Sequence, residues 1–168
     1  FILFDTGFRE IKKLVHGNAS GFSALEVKPN VLLIGPHYNQ KTLHWLDLNT
    51  DNFTEFNTGK YTHLNYVVVN QIAKNRENRI VLCTRNGVFF CDEKYNVVEE
   101  WNNRSSAKVI IPSQNINYFY HDPDGSYWLA SGDKGMIHVF PKTGKYILYN
   151  MDNGFPNNTI NLITPDKS

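Results

Sequence analysis

The residues able to do chemistry are thinly and evenly spread. Six histidines occur, His16, His37, His44, His63, His121 and His138. None stands in an H-x-x-x-H pair or at a metal-ligand spacing from a cysteine. His121-Asp122 has the composition of a proton-relay pair, but neighbours on a strand point to opposite faces. Carboxylates such as Asp51, Asp92, Glu99 and Asp124 fall at predicted turns or outer strands, so no two face each other for glycosidase chemistry. There is no G-x-S-x-G elbow, phosphate-binding loop or dinucleotide fingerprint. Gly132-Asp133-Lys134-Gly135 reads as a hairpin turn. No catalytic residue, metal site or cofactor is expected. What remains is binding chemistry: Trp45, Trp101 and Trp128 carry flat faces that suit a sugar ring or a core.

The two cysteines, Cys83 and Cys91, are too few for a disulfide framework. They flank a hairpin predicted at Asn86-Gly87. A two-residue turn there pairs residues whose numbers sum to about 173, while those of the cysteines sum to 174. Both therefore read as buried small hydrophobes rather than a bridge.

Such side chains must be positioned by strands. Aromatics make up 14% of the 168 residues, which favours pleated sheets over helices. The formal net charge of +1 is scattered, which excludes the basic footprint of a nucleic-acid binder. No apolar run approaches the roughly 20 residues that span a bilayer. The opening Phe1-Ile2-Leu3-Phe4 is too short for the core of a signal peptide and no initiator Met precedes it, so a piece of a longer protein is expected.

The clearest pattern runs from Asn115 to Asn158. Four apolar runs are separated by Asp122-Pro123-Asp124-Gly125, Gly132-Asp133-Lys134-Gly135 and Pro141-Lys142-Thr143-Gly144, which predicts a four-stranded antiparallel unit. The unit recurs. First-strand positions Val69, Ile116 and Ile160 lie 47 and 44 residues apart, and second-strand positions Leu33, Val81 and Trp128 lie 48 and 47 apart. A period of roughly 40–50 residues with four strands per repeat predicts propeller blades. The second strands Val31-Leu32-Leu33-Ile34 and Ile80-Val81-Leu82-Cys83 are apolar throughout, so both faces must be covered, as stacked blades cover them. Gly35, Cys83 and Ala130 share one repeat position, where small residues suit close approach of sheets. The expected architecture is an all-β, β-propeller fragment of four-stranded antiparallel blades: a partial blade at 1–19, blades at 20–66, 67–114 and 115–158, and the start of another at 159–168. A ring needs more blades than these, so the remaining blades are expected partners.

These residues carry a family resemblance. Asp122-Pro123-Asp124-Gly125-Ser126-Tyr127-Trp128-Leu129-Ala130-Ser131 resembles the D-x-x-G-x-[IL]-W-[IL]-G-T core of the two-component regulator propeller repeat. Asn153-Gly154-Phe155-Pro156-Asn157-Asn158 is similar to that family's inter-blade N-G-L-P-S-N, and Phe140-Pro141-Lys142-Thr143-Gly144-Lys145-Tyr146 to its F-D-P-x-T-G-x-[FY]. The likeness covers nearly the whole chain. The first two units depart from it: Val27, Asn30 and Leu33 stand for its Asp, Gly and Trp in one, and Asn75, Asn78 and Val81 in the other. The resemblance implies the extracytoplasmic, periplasmic sensor of a Bacteroidetes hybrid two-component system, followed by a membrane helix, histidine kinase and response-regulator parts, acting as a homodimer and detecting oligosaccharides from glycans. It makes Asp122 a turn residue and Trp128 a buried inter-blade residue. A propeller-scaffold polysaccharide lyase or glycosidase, and a protein-interaction propeller of the WD type, are the alternatives; the latter lacks its G-H…W-D signature. Ligands of propellers usually meet the inter-blade connections and the turns between second and third strands. Here these carry His37, Tyr38, Tyr61, His63, Tyr66, Arg85, Arg104, Asp133, Lys134 and Asn157, and their aromatics and forked donors suit neutral or acidic sugars.

Overall fold

The computed structural model describes residues 2–4, 7–13, 21–36, 43–104 and 106–166. His16, His37 and Tyr38 lie outside these. Strands β1 (Ile2–Phe4) and β2 (Glu10–Lys13) form an antiparallel pair. Three larger sheets follow. The first holds β3 (Gly21–Lys28), β4 (Val31–Pro36), β5 (His44–Asp47) and β6 (Asn52–Glu55). The second holds β7 (Val69–Lys74), β8 (Ile80–Thr84), β9 (Gly87–Cys91), β10 (Val97–Asn102) and β11 (Val109–Ile110). The third holds β12 (Ile116–His121), β13 (Tyr127–Ser131), β14 (Met136–Phe140) and β15 (Lys145–Tyr149). Each is an antiparallel meander in chain order. The short β11, which the sequence did not announce, adds to β10 in parallel and widens the second sheet to five strands.

The sheets stack face to face, with the first strands β3, β7 and β12 neighbouring one another across the stack. This is the blade arrangement of a propeller, with first strands innermost. It explains why β8 is buried at every position: its even-numbered and odd-numbered side chains serve two different cores. Ile80 and Leu82 join Phe89 and Cys91 against Val27, Leu33 and Phe56 of the first blade. Val81 and Cys83 join Val88, Phe90 and Trp101 against Phe119, Tyr127 and Leu129 of the third. The small-residue position behaves as expected, because a Cβ on Gly35 would stand 2.7 Å from that of Val69.

Turn chemistry repeats as faithfully as the strands. The turns between first and second strands each hold one left-handed residue, Asn30 (φ 62°), Asn78 (φ 62°) and Gly125 (φ 85°). Asparagine tolerates this region almost as glycine does, so those departures from the repeat conserve its backbone. The turns between third and fourth strands do the same with Asp51, Tyr95 and Gly144.

The β8–β9 hairpin differs from the sequence expectation. Thr84 pairs with Gly87 and Cys83 with Val88, so Arg85-Asn86 form the loop and Gly87 begins the strand. Thr84 fixes this register: its Oγ1 accepts from the Asn86 N–H at 2.9 Å and donates to the Gly87 carbonyl at 2.8 Å. The cysteines face different cores and are both free.

Each first strand carries a bulge at one repeat position, between Gly21 and Ser23, Val69 and Gln71, and Ile116 and Tyr118. Side chains there bind the following segment of the ring. Ser23 Oγ accepts from the Ile72 N–H and Gln71 Oε1 from the Phe119 N–H, both at 2.8 Å. Asn70 Nδ2 donates to the Ile116 carbonyl at 2.8 Å, and Asn117 Nδ2 to that of Ile160 at 2.9 Å. The bulge thus supplies unpaired backbone groups, and polar side chains satisfy them across the blade seam.

Candidate functional site

The connection face gathers only some of the residues predicted to meet ligand. His63 sits in a short 3-10 turn, Thr62–Leu64, and its Nε2 lies 2.7 Å from Glu100 Oε2. Asn86 joins it to Arg104, donating from Nδ2 to the His63 carbonyl and accepting from the Arg104 guanidinium at 2.8 Å. A cleft of about 490 Å³ opens here, bordered by Lys60, His63, Glu100 and Lys108. Tyr61 is 8% exposed, packs edge-on against Phe89 and donates its hydroxyl to the Val98 carbonyl, so most of its ring is core and only a small part borders this cleft. Tyr66 (φ 70°) and Arg85 are exposed on the same face. Asp133 accepts from Ser113 Oγ, the Lys134 N–H donates to Ser131 Oγ, and Asn157 Oδ1 accepts from the Thr159 N–H. No contact among the described residues links these three to His63 or Arg104.

A second cleft, of about 600 Å³, lies at the opposite ends of the strands, between the first and second blades. Its size falls within the roughly 300–1,000 Å³ of ligand sites. The two seams are filled differently. At the seam of the second and third blades, Phe119 and Tyr127 pack with Phe90 and Trp101 at ring-centroid separations of 4.5–6.3 Å. The corresponding positions at the first seam are Ile72 and Ile80. Trp45, the counterpart of the buried Phe90, is only partly buried. Tyr95 stands edge-on to it at 5.2 Å and Phe56 lies 5.5 Å away.

Tyr95 reaches this place from a left-handed backbone (φ 66°). That conformation costs a bulky side chain about 1–2 kcal/mol. Asp92 holds the turn, its Oδ1 accepting from the Lys94 and Asn96 N–H groups at 2.9 and 2.8 Å. The Asn96 side chain, hydrogen-bonded to Asp92, holds that carboxyl below the usual range. Asp47 does the same work across the cleft, accepting from the Asn49 and Thr50 N–H groups. Sequence reasoning noticed Trp45 but missed Tyr95. The signal was there: a tyrosine occupies the turn position that Asp51 and Gly144 fill in the sister blades.

Trp128 is half-buried rather than enclosed. Its ring stacks on His138 (3.8 Å, 8°) and its Nε1 donates to Asp122 at 3.0 Å. His121 points the other way, buried on Tyr127, so the His121-Asp122 pair is divided between faces as expected.

No family model and no curated protein matches the sequence. Solved structures do. The extracellular domain assigned to the hybrid two-component system BT3049 of B. thetaiotaomicron matches 97% of the chain, with a TM-score of 0.69 and 18% identity. The extracellular domain of BT4673 from the same organism takes 90% of the chain at a TM-score of 0.67 and 16% identity. The chain has the fold of these ectodomains. It spans 21% and 22% of their lengths. Virginiamycin B lyase of Staphylococcus aureus is a more distant likeness, with a TM-score of 0.55 at 13% identity over 86% of the chain and 44% of the enzyme. The ectodomain fold therefore matches the chain more fully than the lyase fold does.

Proposed function

We propose that this chain is part of the periplasmic sensor domain of a hybrid two-component histidine kinase/response regulator, and that the domain binds glycan-derived oligosaccharides and signals across the membrane as a homodimer. The observation that carries this is the superposition of nearly the whole chain on the BT3049 extracellular domain. The repeat motifs at 115–158 support it. Binding moves such a receptor only if the ligand favours one domain arrangement over another. The domain itself is non-enzymatic in this reading, and blades at 20–66, 67–114 and 115–158 belong to one ring continued from residue 159.

The test is induction. Cells carrying the full-length receptor and a reporter for its target genes are grown on a panel of purified glycans. One glycan class is expected to raise the reporter, and deleting residues 20–158 to abolish the response with the protein still present. A receptor that responds to none, or responds equally without these residues, contradicts the proposal.

One observation favours the enzymatic alternative. His63 and Glu100 form an acid–base pair on the 490 Å³ cleft, where a general base could work. Glycan turnover by the full chain, lost in Glu100→Gln, would establish it. Absence of turnover leaves the pair a structural contact between the 3-10 turn and β10.

A further inference from the structure

The second cleft has the chemistry of a built site, and its charge narrows what it takes. We propose that the Trp45–Tyr95 cleft binds an oligosaccharide bearing acidic groups, carboxylate or sulfate. This assignment rests on the glycan-sensing function proposed above and names the place and the ligand class.

Three observations converge. The partly buried indole of Trp45 and the ring of Tyr95 set two aromatic surfaces at 62° to one another. Aromatic faces are electron-rich and attract the C–H groups on one side of a pyranose ring, while the sugar's hydroxyls need donors and acceptors at the rim. The rim supplies them in Asn52, Thr54 and Asn57. Second, the lining residues charged at neutral pH are Lys28, Lys94 and Asp47, a sum of +1. The Asp47 carboxylate is already engaged by two backbone N–H groups. The Lys28 ammonium makes no hydrogen bond or ion pair with a described residue, and Lys94 feels the charge of Asp92, whose Oδ1 is committed to the Lys94 and Asn96 N–H groups. Two lysines on the walls of an aromatic cleft, facing carboxylates already engaged by backbone, favour an anion. Third, Tyr95 occupies a left-handed turn position that Asp51 and Gly144 fill in the sister blades, so the turn does not require an aromatic ring there, and a bulky side chain is placed at a position where glycine would be less strained.

The side chains also explain the division of labour. Trp45 leans on Phe56 and Tyr95, which fixes its orientation before a ligand arrives. Lys28 ends β3 on one wall and Lys94 sits in the turn on the other, so a ligand that contacts both bridges two blades.

The experiment is calorimetric and fluorescence titration of the full-length protein with three tetrasaccharides of matched length: an oligogalacturonate, a sulfated oligosaccharide and a neutral one. At least one anionic probe is expected to bind about tenfold or more tightly than the neutral one, each factor of ten being about 1.4 kcal/mol, and to weaken as salt is raised. Which arm binds identifies carboxylate or sulfate. Lys28→Gln with Lys94→Gln should erase the advantage with the melting temperature unchanged. Trp45→Ala should remove binding, while Trp45→Phe retains most of it and controls for folding. A neutral probe that binds as tightly, with the same dependence on Trp45, overturns the acidic ligand class. Binding indifferent to all these substitutions overturns the cleft. Failure of both anionic probes to bind overturns the assignment too. In each case the receptor function stands or falls separately on the induction experiment.

Discussion

At the scale of single residues, the backbone decides more than the side chains. Gly135 lies at φ 91°, and a Cβ there would meet the Tyr149 carbonyl oxygen at 2.1 Å, whereas Gly144 (φ 69°) has nothing within 4 Å. Gly144→Ala is expected to cost about 1–2 kcal/mol from the left-handed backbone alone, and Gly135→Ala clearly more, read by chemical denaturation. His121 supplies a pH dependence. Burial holds its pKa below the ordinary value, against the pull of Glu77, and its Nδ1 accepts from the Arg76 N–H at 3.0 Å. The unfolded chain therefore binds a proton more readily than the folded one. Stability from this residue is present above about pH 6.5, the usual histidine value, and is lost as pH falls below it. Melting temperature should drop over that range in the wild type and less in His121→Phe. Burial pushes the Cys91 thiol up to about 12 and Cys83 higher still, so both should resist a thiol reagent until the protein unfolds. The sequence showed that these cysteines are core, since a small hydrophobe in an apolar strand has no other place. It could not show that Tyr61 is core, because a tyrosine in a polar connection looks the same whether its ring points in or out.

At the scale of strands and turns, the seam between blades is made by a recurring bulge. Gln71→Ala would leave the Phe119 N–H without its acceptor. An unsatisfied buried donor costs about 1–3 kcal/mol, and the first sign should be faster hydrogen exchange at Phe119 and its β12 neighbours while β3 and β4 stay protected. Strand positions were legible because apolar runs and turn residues repeat together, and even Asn30 and Asn78 declared their turns once their tolerance of left-handed backbone is considered. Register was less legible. The Asn86-Gly87 dipeptide suggests a primed two-residue turn, but the Thr84 hydroxyl holds the chain one residue earlier, and a side chain bonding its own loop leaves no mark in hydrophobic periodicity. The second cleft was hidden for a related reason: it depends on Tyr95 being carried to Trp45 by a turn position whose unusual occupant stands out only when the blades are aligned on one another.

At the scale of the molecule, the side chains at the bulges join the blades in one direction. Ser23 and Gln71 reach to the segment that follows, and so do Asn70 and Asn117. All four lean toward the C-terminal neighbour, whereas Lys74 and His121, at the far ends of their strands, reach back. A coding segment one period long therefore carries a complete half-joint at each end, a reaching side chain at one and a receiving backbone at the other. Duplicating or excising that segment leaves matching surfaces, so lineages carrying this architecture could change the circumference of the ring by recombination without inventing a new contact.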